Sequence, residues 1–134
     1  MNKLRLILLA FVLILSANAV FSASPGDVGI NEVAWDGTTS SPSDEWIELY
    51  NTTDTNIDIS GWSIYGADTG VVLNFSAADG SSTTTIPANG YLIYANDDAV
   101  FSSGAPIHIW DATIGLNADG DSLILYDGPD GSGN

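Results

Sequence analysis

Cysteine is absent, histidine occurs once, and Lys and Arg together number 2. Without cysteine no disulfide can brace the chain, so a fold must rest on its core or on bound ions. A lone His108 with no Cys cannot assemble a zinc site of the ordinary kind. The 2 cationic residues are Lys3 and Arg5, and beyond them stand all 17 Asp and Glu with no Lys or Arg at all. No Lys/Arg–carboxylate ion pair can therefore form after residue 5. A surface of that sign repels anionic lipid, and it repels nucleic acid, whose phosphates are bound through Lys and Arg. Direct nucleic-acid binding is not expected. Long apolar runs are missing too. The one run, Leu6–Leu15, falls short of the about 20 residues that a membrane-spanning helix needs. No later window holds a 3.6-residue apolar period, which excludes an amphipathic helical bundle.

What is present begins with the layout of residues 1–23. Two positive charges precede an apolar stretch, and small residues follow at Ala17-Asn18-Ala19. That order is a cleavable secretory signal peptide, with cleavage after Ala19 or, as the runner-up, after Ser22. The expectation is an exported chain, secreted or at the cell surface, with no stable membrane insertion once the signal is removed. The acids then have two readings. They form a solvated surface stabilised by salt, or some share a divalent cation such as calcium, which favours hard oxygen ligands.

The remainder reads as all-β. Short β-branched and aromatic runs alternate with Gly, Asn, Asp and Ser clusters. Strands are predicted near Val28–Trp35, Glu45–Asn51, Ile57–Ile59, Trp62–Tyr65, Val71–Phe75, Tyr91–Ala95, Ile107–Trp110 and Ser122–Tyr126. One helical turn is predicted over Asp97–Phe101. Alternation in Glu45–Asn51 sends Ile47 and Leu49 to the core, with Trp46, Glu48 and Tyr50 on the opposite face. This spacing predicts a two-sheet sandwich over residues 24–127. Asp36–Asp44 is expected to be a mobile polar loop. Residues 128–134 continue a turn sequence, read as a truncated hairpin of a longer protein or a disordered end.

Five blocks in order carry a family resemblance. They are Ile30-Asn31-Glu32-Val33, Asp44–Asn51 (DEWIELYN), Asp58-Ile59-Ser60-Gly61-Trp62, Ile86–Leu92 (IPANGYL) and Gly120–Asp127 (GDSLILYD). Together they resemble the lamin tail domain of nuclear lamins and of secreted bacterial proteins. The resemblance implies an immunoglobulin-like β-sandwich with scaffold roles for these blocks, and little about chemistry. In the family a further strand usually follows the Leu-Tyr-Asp block, and here the chain ends soon after it. No heptad repeat accompanies the domain, so a lamina role is not implied.

Several residues could carry chemistry. Glu32, Asp36, Asp44 and Glu45 form the first candidate calcium cluster, and Asn117, Asp119 and Asp121 a second. The second is not an EF-hand, lacking its loop length and terminal glutamate, and turn-forming Asx residues explain it more simply. Gly120-Asp121-Ser122-Leu123 spells the motif of GDSL esterases. It stands near the end of an all-β pattern, downstream of the sole His108, which argues against Ser122 as a nucleophile. Glu32 and Glu48 on neighbouring strands could pair as in a glycosidase, but no deep cleft is implied. Asn51-Thr52-Thr53 and Asn74-Phe75-Ser76 match the glycosylation sequon. Exposed aromatics are the candidates for a ligand surface, above all Trp46 and Tyr50, with Trp35, Trp62 and Trp110 beside them.

The expectation is therefore a non-catalytic binding, adhesion or tethering module. Its partner would be a protein or cell-envelope component, or another copy of the chain. The alternative is a calcium-stabilised accessory module of an extracellular hydrolase or nuclease. A small hydrolase using Ser122 or the Glu32/Glu48 pair comes last.

Overall fold

The structure is a computed structural model, and it describes residues 23–66, 70–75, 83–96, 109–110, 114, 116–117 and 119–128. The signal segment up to residue 22, the helical turn at Asp97–Phe101, His108 and residues 129–134 lie outside the described residues. Nine strands appear among those described: β1 (Val28–Ala34), β2 (Trp46–Asn51), β3 (Ile57–Asp58), β4 (Ser63–Gly66), β5 (Gly70–Asn74), β6 (Thr85–Ile86), β7 (Tyr91–Ala95), β8 (Ile109–Trp110) and β9 (Leu123–Tyr126). Among those residues no helix is present. One sheet has the order β1-β2-β7-β8, the other β5-β4-β9, and β3-β6 forms a short third ladder. All pairings are antiparallel except β7–β8, which is parallel.

The core follows the alternation. β2 buries Ile47, Leu49 and Asn51 and leaves Trp46, Glu48 and Tyr50 half-buried on the other face. The inward set meets Ile64 of β4 and Leu73 of β5, with Ile57, Ile59, Phe75, Ile86, Leu92, Tyr94 and Ile114 completing the layer. Phe75 and Tyr94 meet edge to face at 5.6 Å, the arrangement that the ring quadrupoles favour. β7 is central and buried on both faces. Its Ile93 and Ala95 form a second small cluster under Trp46, so Leu92–Ala95 reads as an unbroken apolar run.

Strict alternation fails in β1, and a bulge is the reason. Ile30 pairs with Leu49 and Glu32 with Glu48, leaving Asn31 as the extra residue. The extra residue shifts the pleat by one. Ile30 and Val33, three apart, can then both pack against the core. Two turns show what their residue types are for. Gly61 sits at φ +81°, Trp62 N–H donates to Ile59 O at 3.0 Å, and the strand start is set. Glycine at the third position of such a turn avoids Cβ strain. In Pro87–Gly90 the left-handed residue is Asn89, at φ 51°. Gly90 is needed for space, because a Cβ there would lie 3.0 Å from Pro87 O.

Candidate functional site

Several of the described acids accept hydrogen bonds from neighbouring groups of the chain. Asp27 Oδ2 accepts from Ser24 N–H at 2.7 Å, and Asp121 Oδ1 from Ser122 N–H at 2.7 Å. Asp58 takes Thr84 Oγ1–H at 2.7 Å and Ser60 N–H at 3.0 Å, with Ser60 Oγ–H on its second oxygen at 3.2 Å. The Thr84 hydroxyl chiefly, with the Ser60 donors, holds the Asp58 carboxyl below its ordinary value, against a smaller opposing effect of burial. Donated hydrogen bonds thus do the work that ion pairs do elsewhere.

The four acids of the first calcium candidate are not gathered into one site. Glu32 points outward from β1 and is exposed, and Asp36 is exposed in the loop that follows. Asp44 is bonded by the Thr38 hydroxyl inside that loop. Glu45 is buried, and its Oε2 accepts Leu116 N–H at 3.2 Å. Burial pushes the Glu45 carboxyl up, opposed in part by that N–H. Among the described residues no three His, Cys, Asp or Glu side chains come together as a metal group. The second calcium candidate is a turn: Asn117 Oδ1 accepts Asp119 N–H at 3.0 Å, and Asn117 O accepts Gly120 N–H at 3.0 Å. The loop expected to be mobile is knitted internally, since Ser41 O accepts both Thr38 N–H at 2.9 Å and Asp44 N–H at 3.2 Å.

Glu32 and Glu48 do face each other across β1 and β2. They stand on the outer side of the sheet, where Asn31 Nδ2–H donates to Glu48 Oε1 at 2.7 Å. Neither lines either cavity found among the described residues. A glycosidase pair needs a sugar ring held between its carboxyls, and this surface offers no enclosure. Ser122 is exposed in the turn before β9.

Asn51 is not a sugar acceptor in the folded chain. It is fully buried. Its Nδ2 donates to Thr55 O at 2.7 Å, Pro87 O at 3.0 Å and Ile86 O at 3.2 Å. Its Oδ1 accepts from Thr53 N–H at 2.9 Å and Thr53 Oγ–H at 2.8 Å. The amide pins the β2 end, the Thr53–Thr55 turn and the β6–β7 turn together. The second sequon differs, because Asn74 is exposed on β5.

Two surface features remain. The first is the outer face of β2 and β7. Tyr50 pairs in register with Tyr91, and their rings stack at 4.7 Å with a 32° tilt. Tyr91 is 46 % exposed. Trp46 on the same face lies over Ile93 and Ala95 and is half-buried. The sequence singled out Trp46 and Tyr50 but not Tyr91. The signal that could have found it is its position one alternation from Ile93, on the face that Tyr50 shares once β2 and β7 pair. The second feature is a cavity of about 460 Å³ at one side of the sandwich, lined by Ile30, Val33, Trp35, Leu116, Asp121 and Leu123 among others. A smaller one of about 240 Å³ lies beside Trp62 and Leu125.

Two facing sheets of mainly antiparallel strands around one apolar layer define an immunoglobulin-like β-sandwich. The chain belongs to the lamin tail domain family, whose model matches residues 22–133. No curated protein matches the chain. The family is one of non-catalytic immunoglobulin-like domains, and membership points to a binding module.

Proposed function

We propose that this lamin tail domain works as a non-catalytic binding and tethering module outside the cell or at its surface. The observation that carries this reading is the Tyr50–Tyr91 pair, two stacked rings on the open face of a sheet. Sheet-mounted tyrosines offer large contact area at little cost in side-chain entropy. Trp46 and Glu48 extend the same face along β2. Such a face suits a protein or envelope surface better than a small substrate, which needs a concave pocket. The charged, apolar-then-small leader of residues 1–23 supports export.

The test has a binding arm and a location arm. Washed envelope from the source cells is sedimented with the chain, alongside the Tyr50→Ala/Tyr91→Ala variant. Loss of co-sedimentation in the variant, with an unchanged melt, supports the reading. Equal sedimentation of both proteins, or none of either, removes this face as the binding surface. Antibody detection of the chain inside intact cells, with none outside, overturns the extracellular part.

A further inference from the structure

Asn89-Gly90 is the one Asn-Gly pair in the chain. Asparagine is a thermolabile residue. The backbone nitrogen of the next residue can attack its side-chain amide carbon and close a succinimide ring. A following glycine has no side chain to block that approach. Asn31, Asn56, Asn74, Asn96 and Asn117 are followed by Glu, Ile, Phe, Asp and Ala, each of which crowds it. Asn89 is exposed, in the turn between β6 and β7. Its side chain is open to water, so the backbone around it decides whether it reacts.

The turn holds that backbone still. Gly90 N–H, the attacking nitrogen, donates to Pro87 O at 2.9 Å. Asn51 N–H donates to Gly90 O at 3.0 Å, and Asn89 N–H to Thr53 O at 2.8 Å. Asn51 Nδ2 reaches Pro87 O as well, at 3.0 Å. Asn51 Oδ1 is itself fixed by Thr53 N–H and Thr53 Oγ1–H. Residues 89 and 90 are thus tied, on either side of their shared peptide, to one clasp made by Asn51 and Thr53. Ring closure needs the Gly90 nitrogen freed from Pro87 O and turned toward the Asn89 side chain. Both movements require the clasp to open.

We infer that Asn89 is a latent deamidation site, shut by this turn and reactive when the clasp opens. In the step the Gly90 nitrogen bonds to Asn89 Cγ, and the Cγ–Nδ2 bond breaks. The amide nitrogen leaves as ammonia, taking the proton from Gly90. Water then opens the ring at either carbonyl and leaves aspartate or isoaspartate. The isoaspartate route puts an extra methylene into the main chain directly before Gly90. A turn lengthened in this way no longer meets Thr53 O and Pro87 O together. Tyr91, the next residue, is displaced from Tyr50, whose ring it meets at 4.7 Å. Either product also adds a carboxylate to a chain with no Lys or Arg beyond residue 5 to pair it. The change runs one way, because the ammonia is lost.

The experiment follows the whole chain by mass spectrometry during incubation at neutral pH, with fragmentation to locate the gained mass. The folded chain reacts at Asn89 about tenfold or more slowly than the same chain in urea, because reaction tracks the open fraction. Thr53→Ala takes the hydroxyl from Asn51 Oδ1 and keeps Thr53 O for Asn89 N–H. It speeds the reaction about fivefold, the factor that one hydrogen bond is worth, while a melt shows the chain still folded. Asn51→Leu speeds it further, and if that variant unfolds, Thr53→Ala decides alone. Gly90→Val slows the reaction in urea, which locates the attacking nitrogen. The isoaspartate product, separated by ion exchange, has a lower melt and an altered near-ultraviolet tyrosine signal. Equal rates in buffer and in urea overturn the proposal, as does a first gain of mass at another asparagine. A native rate in folded Thr53→Ala, or an isoaspartate product with unchanged melt and tyrosine signal, overturns it too.

Discussion

Replacing Asn51 by leucine removes a fully buried polar side chain with five hydrogen bonds while keeping its branched heavy-atom skeleton. The amide has two N–H donors, and they serve the carbonyls of Thr55, Pro87 and Ile86, one bond being shared. Its oxygen takes two further bonds from Thr53. Counting four satisfied valences at about 1 kcal/mol net each gives a loss of about 4 kcal/mol. Carbonyls stranded without water would raise it. A domain of this size has roughly 5–15 kcal/mol in all, so the variant should melt at least about 15 °C lower. Asn51→Asp should be worse at neutral pH, because a carboxylate would face carbonyl oxygens with no proton to offer. Acid should partly rescue it, since a protonated carboxyl regains one donor. The assay is urea unfolding followed by tryptophan fluorescence, run for each variant across pH. A loss below about 1 kcal/mol for the leucine variant, or a neutral-pH aspartate variant as stable as the native chain, would refute the claim that this amide ties the turns together.

Three further outcomes follow from particular groups. Glu45→Gln keeps an acceptor for Leu116 N–H and removes a charge that burial disfavours. Because the folded carboxyl lies above 4.5, the native protein gains stability as pH falls through that raised value toward 4.5. The variant should melt higher at neutral pH, with the gap closing on acidification, and a lower melt at pH 7 would contradict the burial argument. Asp58→Asn works the other way. The native carboxylate, held below 3.8, contributes stability above 3.8 that is lost as pH falls through the lower folded value. The variant should melt lower at neutral pH and converge with the native chain in strong acid. Gly61→Ala meets no atom within 4 Å but must hold φ +81°, so it should cost about 1 kcal/mol in chemical denaturation through backbone strain alone.

Strand positions were legible because one face of each strand is buried, and burial writes period two into the chain. Tyr91–Ala95 has the predicted bounds, and β1, β2, β4, β5 and β9 differ from prediction by a residue at one end or both. β6 was missed, since Thr85-Ile86 is two residues between a threonine run and Pro87 and shows no alternation. The Asn31 bulge leaves no local mark either. It is required only because Ile47 and Leu49 stand opposite, more than a dozen residues away. The candidate surfaces follow the same rule. Trp46 and Tyr50 could be read from one strand, but Tyr91 joins them only through the β2–β7 register. The cavity is less legible still, because β1, the segment at Leu116 and β9 each supply only a part of its wall. Whether acids share a site is likewise a tertiary matter. Glu32, Asp36, Asp44 and Glu45 are close in sequence, yet the pleat and the loop send them apart.

The one-signed charge of this chain gains a meaning from its edges. Among the described residues β9 ends its sheet, and an apolar strand edge of that kind invites pairing with any extended chain, including another β9. The chain places no lysine, proline or bulge on that strand. Carboxylates elsewhere can substitute for local protection, because two copies approaching edge to edge bring their acids together, beginning with Asp121 beside each groove. Such repulsion acts over about 10 Å at 0.1 M salt, far enough to oppose encounter before any backbone bond forms. It is selective in a way that a bulge is not. A bulge blocks every partner, whereas negative charge blocks acidic ones and draws in cationic ones. The absence of Lys and Arg beyond residue 5 thus acts on strand edges as a whole, opposing pairing between copies of the chain without a bulge or a lysine on the strand itself.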